Sequence, residues 1–562
     1  MTSYWRIPIS LTLRAPWVTP GDAAPGPSTD IVLARNQEGQ FILPSSLVKG
    51  NLRAAADTLV DEGAVGANVR DACFGTESGT RAKGVPVHPW RVANEPERGA
   101  IIFGDLEADR EAQDKDGRTQ RVKIDSDLGA AREGHLLFVE CPFPFGTEVT
   151  FKGEVILWGN MGVSEGDAVL LLKQSLGRIF AIGGMKSVGF GRVENFQVEA
   201  PVAVVAATAR APALSLEMAY NIDRPFIVDA TRHSGNLSVG SDIIAGSAIK
   251  ALLARGCAAA NMDSDAYLAA LNISHAAPAD RKTLPLSLSV ADNQVFCNLD
   301  GKIRPGFHTF QGDWKNSEND VRTALGDGWD APDLHYSGRS RTAIDSKSMT
   351  SLFEQNTDDS EGVGQLFSQM AVAPNGLIWR GTISAPDDMD MMGQMLGLLD
   401  AGLPGLGKTG AVLTGSGQPH AAPVTPTTET LNLTLTSDAC LFKPQDAINT
   451  NMGDLYRAYF KAQGFNLINF FAQQVLKGGY LALRYPATDG EYIPWVLTEA
   501  GSVFRLESNG SANITDILAN GLPPADGLSG DWQKFPFLRE NGFGRVVHDI
   551  LDHNKLAGGL KL

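Results

Sequence analysis

The 562 residues include 60 glycines and 30 prolines, with 43% hydrophobic and 20% charged side chains, a mixture that excludes a disordered tail, a collagen and a coiled coil. At a typical ~150 residues per domain this length makes roughly three to four folded units. Lys and Arg number 48 against 64 Asp and Glu, a net charge of -16; that excludes a chain whose whole surface grips nucleic acid and leaves room for a local basic groove.

The N-terminal stretch Met1–Arg14 interrupts its apolar run with Arg6 and Pro8, unlike the apolar centre of a signal peptide. No run approaches the ~18 apolar residues of a membrane span, so no membrane partner is expected. Cys73, Cys141, Cys257, Cys297 and Cys440 are scattered and form no Cys-x-x-Cys pair. A reducing, cytoplasmic setting without structural zinc or other bound structural metal is expected.

In chain order, the alternating apolar residues of Ile7–Arg14 predict a strand, and Pro16–Pro27 a loop. The segment Phe41-Ile-Leu-Pro-Ser-Ser-Leu-Val-Lys49-Gly-Asn-Leu-Arg53 opens an Ala-rich helix, which Ser45 or Ser46 would cap. The same order recurs from residue 201: Val202–Val205 and Ala213–Ala219, a loop, then Asp242-Ile-Ile-Ala-Gly-Ser-Ala-Ile-Lys250. Lys49 and Lys250 stand 201 residues apart, and later landmarks keep their sequence: Ile124-Asp125 then Gly134-His-Leu-Leu-Phe138, and Ile344-Asp345 then Gly364-Gln-Leu-Phe367. Such internal repetition fixes the organisation before any motif does: units at 1–200 and 201–417, a Pro/Thr-rich linker at 418–428, and a third, partial unit at 429–562. In the third, Thr430–Leu435 reads as a strand and Asn451–Gly478 as a helix.

Each unit ends in a glycine cluster: Gly183-Gly-Met-Lys186-Ser-Val-Gly189-Phe-Gly191-Arg192, Gly405-Leu-Gly-Lys408-Thr-Gly410 and Gly542-Phe-Gly544-Arg545. Lacking Cβ atoms, such loops admit either a tight turn or a sugar-phosphate chain at the backbone N–H groups, with Lys186, Arg192, Lys408 and Arg545 supplying charge. The middle cluster formally matches a nucleotide-binding phosphate loop, Gly402-Leu-Pro-Gly-Leu-Gly407-Lys408-Thr409. That motif needs a strand before it and a helix after it, whereas Met391–Asp400 reads as helix and Ala411–Thr414 as strand. No ATP site is expected. At the helix starts, Ser45, Ser46, Lys49, Arg53 and, by repetition, Lys250 can grip phosphates or make an ordinary basic helix end.

The run Ile42 to Arg53, Cys73-Phe-Gly75, Val122-Lys-Ile-Asp-Ser-Asp-Leu-Gly-Ala-Ala-Arg-Glu-Gly-His-Leu-Leu-Phe138 and Gly183 to Arg192 resembles the RAMP superfamily of CRISPR systems, most closely the backbone subunit of type III effector complexes. From residue 210 onward, Leu284-Pro-Leu-Ser-Leu288, Gly501-Ser-Val-Phe504 and the final Gly-Phe-Gly-Arg resemble the large subunits of type III-D systems. Ala245 stands where the family has proline, and Thr409-Gly-Ala411 lacks the usual aromatic and arginine.

The resemblance implies an α+β fold of tandem RRM-like, ferredoxin-like units with large loop insertions. It implies guide RNA, complementary target RNA and other type III effector subunits as partners, and target cutting by an aspartate in the loop after the first strand. A carboxylate there can deprotonate a 2′-hydroxyl for in-line attack, with Mg2+ or Mn2+ or a basic side chain stabilising the charge. Asp30 lies 19 residues before Lys49 and Asp229 lies 21 before Lys250; the similar offsets single them out over Asp22, Asp223 and His233. Two other readings stand beside this one: a non-catalytic guide-RNA scaffold, and a stand-alone ribonuclease that processes precursor guide RNA through a histidine, His233 or His275.

Overall fold

Strand β1 (Thr2–Arg14) points Ile7, Ile9, Leu11 and Leu13 to one side, and all four are buried, as a period of two demands when one face meets a core. The structure, a computed structural model, describes all but residues 1, 22–28, 77–97, 126, 208–209, 234–235, 279–280, 292, 300–317, 327, 330–331, 343–352, 355–362, 365, 386–387, 422, 427, 429, 479–492, 511, 526–527, 529–531, 533–534, 552–555, 557–558 and 562. Asp22 and Ile344-Asp345 lie outside the described residues.

Around β1 run α1 (Ser45–Asp61), β2 (Ile101–Phe103), β3 (Glu148–Trp158), α2 (Glu165–Leu176) and β4 (Arg192–Val198). β1 pairs antiparallel with β3, Ile7 facing Val155, and with β4, Leu11 facing Phe196; β2 adds outside β3. Val48, Leu52, Ala56, Leu171 and Leu172 bring both helices onto the face of β1 that carries Ile7. This is a ferredoxin-like βαββαβ path with spatial order β2-β3-β1-β4.

Residues 215–419 repeat it as β5 (Ser215–Ile222), α3 (Gly246–Ala259), β6 (Asn272–Ile273), β7 (Trp379–Ser384), α4 (Met389–Ala401) and β8 (Ala411–Pro419), in the order β6-β7-β5-β8. Residues 430–548 repeat it again as β9 (Thr430–Leu435), α5 (Met452–Ala462), β10 (Phe465–Phe471), β11 (Val503–Ser508), α6 (Ile514–Asn520) and β12 (Val546–His548), in the order β10-β11-β9-β12. All six elements of the path are present here, although β12 is only three residues long. The fold is α+β.

In every unit a hairpin is inserted between the second and third strands: Arg118–Ile124 with Ala131–Glu140, His335–Thr342 with Leu366–Ala373, and Gln474–Lys477 with Trp495–Thr498. Three local expectations are corrected. The helix expected over Asn451–Gly478 ends at Ala462, because Gly464, at φ 86°, takes the left-handed turn that stops a helix, and the alternation Phe465-Asn-Leu-Ile-Asn-Phe-Phe471 then forms a strand. Neither Ser45 nor Ser46 caps α1. Its first N–H, that of Ser45, donates to Asp105 Oδ1 at 2.7 Å. Val202–Val205 still pairs with β1, so the first sheet extends past residue 200.

Candidate nucleic-acid interface

The glycine clusters sort by what covers them. The second unit's cluster is pressed against the first unit. A Cβ on Gly410 would meet Ile102 Cγ2 at 2.6 Å, and Arg98 donates to the Gly405 carbonyl at 2.9 Å and the Gly407 carbonyl at 2.7 Å. Tyr4 and Trp158 of the first sheet join the buried core of the second unit. The third unit's cluster is pressed against the second at Gly542, where a Cβ would lie 2.5 Å from His275 Nδ1 and 2.8 Å from the Ile273 carbonyl; a Cβ on Gly544 would instead meet the Leu522 carbonyl of its own unit at 2.7 Å. Arg545, held near 10 by burial, donates to the Asn272 side chain and the Ala519 carbonyl. Each loop thus seats on the second strand of the preceding unit, or on the residues beside it.

The first unit's cluster is covered by neither of the other two units: its close neighbours, Val18, Thr19 and Ile182, belong to its own unit. A Cβ on Gly189 would meet nothing within 4 Å, and Ser187, Val188, Gly189 and Arg192 are exposed. Gly191 is different: its Cβ would strike the Ile182 carbonyl at 2.0 Å, so it serves the turn itself. Beneath the loop, Val18, Val139 and Phe190 form a small core with Ile31 and Met185. That core ties together three elements: the glycine loop, the loop carrying Asp30, and the inserted hairpin. Arg121 stacks on the Phe190 ring at 5.0 Å, Lys186 is half-buried with its ammonium pK pulled down by burial, and Arg132 and His135 stand exposed on the hairpin. Val122, Ile124, Leu128 and Leu136 are exposed there too. Basic side chains interleaved with apolar ones on a projecting hairpin suit a strand of nucleic acid, whose phosphates and bases need both.

Asp30 sits at the root of that hairpin. Its backbone N–H donates to the Phe138 carbonyl at 2.9 Å, and its Oδ2 accepts the Phe138 N–H at 2.7 Å; the residue is exposed. Asp229 is 56% exposed, at φ 39°, with Lys477 Nζ 3.8 Å away. Of the rivals, Asp223 is engaged by the Val412 N–H at 2.7 Å and by Arg224, and His233 is exposed on a short strand.

The helix starts behave differently from the sequence expectation. Ser45 lines a crevice with Asp105, Arg224, Arg339 and Thr409; Arg339 of the second unit's hairpin holds Asp105 at 2.5 Å and keeps its carboxyl below the usual range against the opposing effect of burial. Lys49 and Arg53 are half-buried on α1. Lys250 is fully buried, without a hydrogen-bond partner for Nζ among the described residues, 5.5 Å from the Trp532 ring, and burial pushes its pK down to about 8. A lysine so placed cannot reach a phosphate in this structure. Asp105, Lys477 and the hairpins escaped the motif reading because their partners are distant in the chain; the alternation of Arg118–Ile124 was the available signal.

Among the described residues no three His, Cys, Asp or Glu side chains gather to hold a metal ion. Mg2+ can be held by substrate phosphates with one or two carboxylates, a role that an exposed Asp229 or Asp30 could fill, and no step below is routed through it. All five cysteines are buried and unpaired. No described helix is long and apolar enough to cross a membrane.

Residues 10–194 match the family model described as the RAMP superfamily. No curated protein matches the chain. Among solved structures, a chain of a cryo-EM structure of the Type III-B Cmr-beta bound to cognate target RNA is similar at 16% identity and TM-score 0.23, over 35% of this chain and 61% of that one. A chain of the same assembly bound to cognate target RNA and AMPPnP is similar at 10% identity and TM-score 0.29, over 51% of this chain and 86% of that one. The chain spans less than two thirds of the first of these.

Proposed function

We propose, from the match of residues 10–194 to the RAMP superfamily model, that the chain is a fused, three-unit subunit of a type III CRISPR effector that holds guide RNA and cuts the complementary target. The observation that carries this is the serial docking of glycine loops: two are closed by the preceding unit, and the first is open beside a basic hairpin and Asp30. The open loop offers the next subunit of a ribonucleoprotein a seat of the kind already used twice inside the chain. Guide RNA would follow Lys186, Arg192, Arg121 and the half-buried Lys49 and Arg53.

In the cut, Asp30 or Asp229 takes the proton of a 2′-hydroxyl on a splayed nucleotide, and the 2′-oxygen attacks the adjacent phosphorus. The test is to express the chain with its repeat array and partner subunits and to digest a labelled target. Asp30→Ala should remove one cut and Asp229→Ala another, each by ~10²- to 10⁴-fold in rate, with guide and target still bound. Products should end in a 2′,3′-cyclic phosphate and a 5′-hydroxyl. Binding without any cut by the unaltered complex would favour the scaffold reading.

A further inference from the structure

Asp229 meets a cation that the second unit does not contain. Lys477 closes the Gln474–Lys477 strand of the third unit's hairpin, and its Nζ stands 3.8 Å from Asp229 Oδ2, with 28% of the lysine side chain still exposed. The ammonium is shared in its influence: Asp438, whose carboxyl is pushed up chiefly by burial, is drawn down by Lys477 and raised by Asp229. Asp438 itself accepts the Ala500 N–H at 3.0 Å, which leaves Asp229 as the exposed carboxylate of the group. A single, partly exposed ion pair contributes little to stability, so the pairing is poorly explained as a clamp between units. Asp229 also keeps a left-handed backbone at φ 39°, a conformation unfavourable for a non-glycine residue that surrounding structure must enforce.

We propose that Lys477 is the general acid of the cut made at Asp229, so that this active site is assembled from two units; this rests on the reading of Asp229 as the group that takes the 2′-hydroxyl proton. Attacking and leaving oxygens lie in line on either side of the phosphorus, so the substrate has to part the 3.8 Å ion pair, with Asp229 on the side of the 2′-oxygen and Lys477 on the side of the 5′-oxygen. The 2′-oxygen forms its bond to phosphorus as Asp229 accepts its proton. The bond from phosphorus to the 5′-oxygen breaks, its electron pair leaves with that oxygen, and Lys477 supplies the proton that makes it a hydroxyl. One proton is taken and one is given, and transfer from the Asp229 carboxyl to the Lys477 amine restores both groups. Among the described residues Asp30 pairs with no cation in this way: its carboxylate accepts the Phe138 N–H instead.

The intact complex with its guide tests this, using Lys477→Met and Asp229→Ala and two targets. One target is all-oxygen; the other carries sulfur in place of the bridging 5′-oxygen at the second cut, a leaving group that departs without a proton. Lys477→Met should slow the second cut of the oxygen target by ~10²- to 10⁴-fold and cut the sulfur target close to the unaltered rate, while Asp229→Ala should be slow on both. The first cut, made in the same assembly, reports that the particle is folded. If Asp229→Ala loses the second cut and Lys477→Met keeps it, or if sulfur fails to rescue Lys477→Met, the assignment of Lys477 falls and that of Asp229 stands. If the second cut survives Asp229→Ala, the reading of Asp229 falls and takes Lys477 with it.

Discussion

The N–H of Gly246, first residue of α3, donates to Nδ1 of His275 at 3.1 Å. A helix start is a ready anion site because its first N–H groups lack partners, and here a neutral imidazole fills it. The ring is held from the other side by Phe543 at 4.7 Å, edge to face. Asp105 fills the start of α1 in the same way. Two helix starts whose sequence invites phosphate are therefore occupied from within the chain, both where units meet.

The cap makes the boundary between the second and third units acid-sensitive. Burial, then the nearby charges of Arg545 and Lys477, depress the His275 imidazole to about 4, against about 6.5 for an exposed histidine. Above both values the ring is neutral and its contribution is complete. As pH falls from about 6.5 to 4 the unfolded chain binds the proton first, and up to roughly 3 kcal/mol is lost, less to the extent that solvent reaches the residue. Urea unfolding at pH 7.5 and pH 5 should show this loss in the unaltered protein and a smaller one in His275→Asn. Equal losses would show that another group titrates.

Lys250 should behave as a buried core residue. A buried ammonium without a hydrogen-bond partner is costly, and replacing buried ionic groups by hydrophobic side chains of similar size is often neutral or stabilising. Lys250→Met should raise the melting temperature and leave retained guide RNA unchanged, read from the absorbance ratio of the purified particle. In the unaltered protein, stability should rise from about pH 8 toward 10.5, because the unfolded lysine keeps its proton after the folded one has lost it. RNA loss from a well-folded Lys250→Met would restore the phosphate reading.

Glycines alike in sequence should differ on substitution. Gly189→Ala meets open space and bears only the cost of φ 91°, about 1–2 kcal/mol. Gly542→Ala bears a similar φ cost, and its Cβ would also press on His275 at 2.5 and 2.7 Å, a clash worth about 1–3 kcal/mol more. Chemical denaturation of the two variants should separate them in that order; the reverse order would mean that the third loop is not seated on His275.

What was legible in the chain was its periodicity. Alternation located β1, recurrence of Lys49 as Lys250 located the second unit, and glycine positions located the loops. What they touch was not legible, because positive φ and a missing Cβ are demanded equally by a nucleic-acid backbone and by a neighbouring protein strand. Lys49 is half-buried and Lys250 fully buried at matching places; Lys250 lies against the third unit's Trp532, 282 residues away. The contact of Asp105 with Arg339 spans 234 residues, and no local pattern announces it.

The formal phosphate loop at Gly402–Thr409 gives the last prediction. Helix α4 precedes it, and Leu403–Leu406 turns back through 407–410 into β8 as a hairpin, so no helix start follows to face a phosphate. Its polar backbone is spent on protein: Gly405 N–H on the Gly410 carbonyl at 3.3 Å, Lys408 N–H on the Ile227 carbonyl at 3.0 Å, and two carbonyls on Arg98. A ligand at a hundred times its Kd would add about 2.7 kcal/mol of stability, a shift of a few degrees in a protein this size. Magnesium ATP at millimolar concentration should leave the melting temperature unmoved, in the unaltered protein and in Lys408→Ala alike. Arg98→Ala, by contrast, should lower it, since two carbonyls at the boundary of the first two units lose a charged donor, each such hydrogen bond contributing about 1.5–3 kcal/mol. An ATP-dependent shift abolished by Lys408→Ala would establish a nucleotide site that the hairpin geometry argues against.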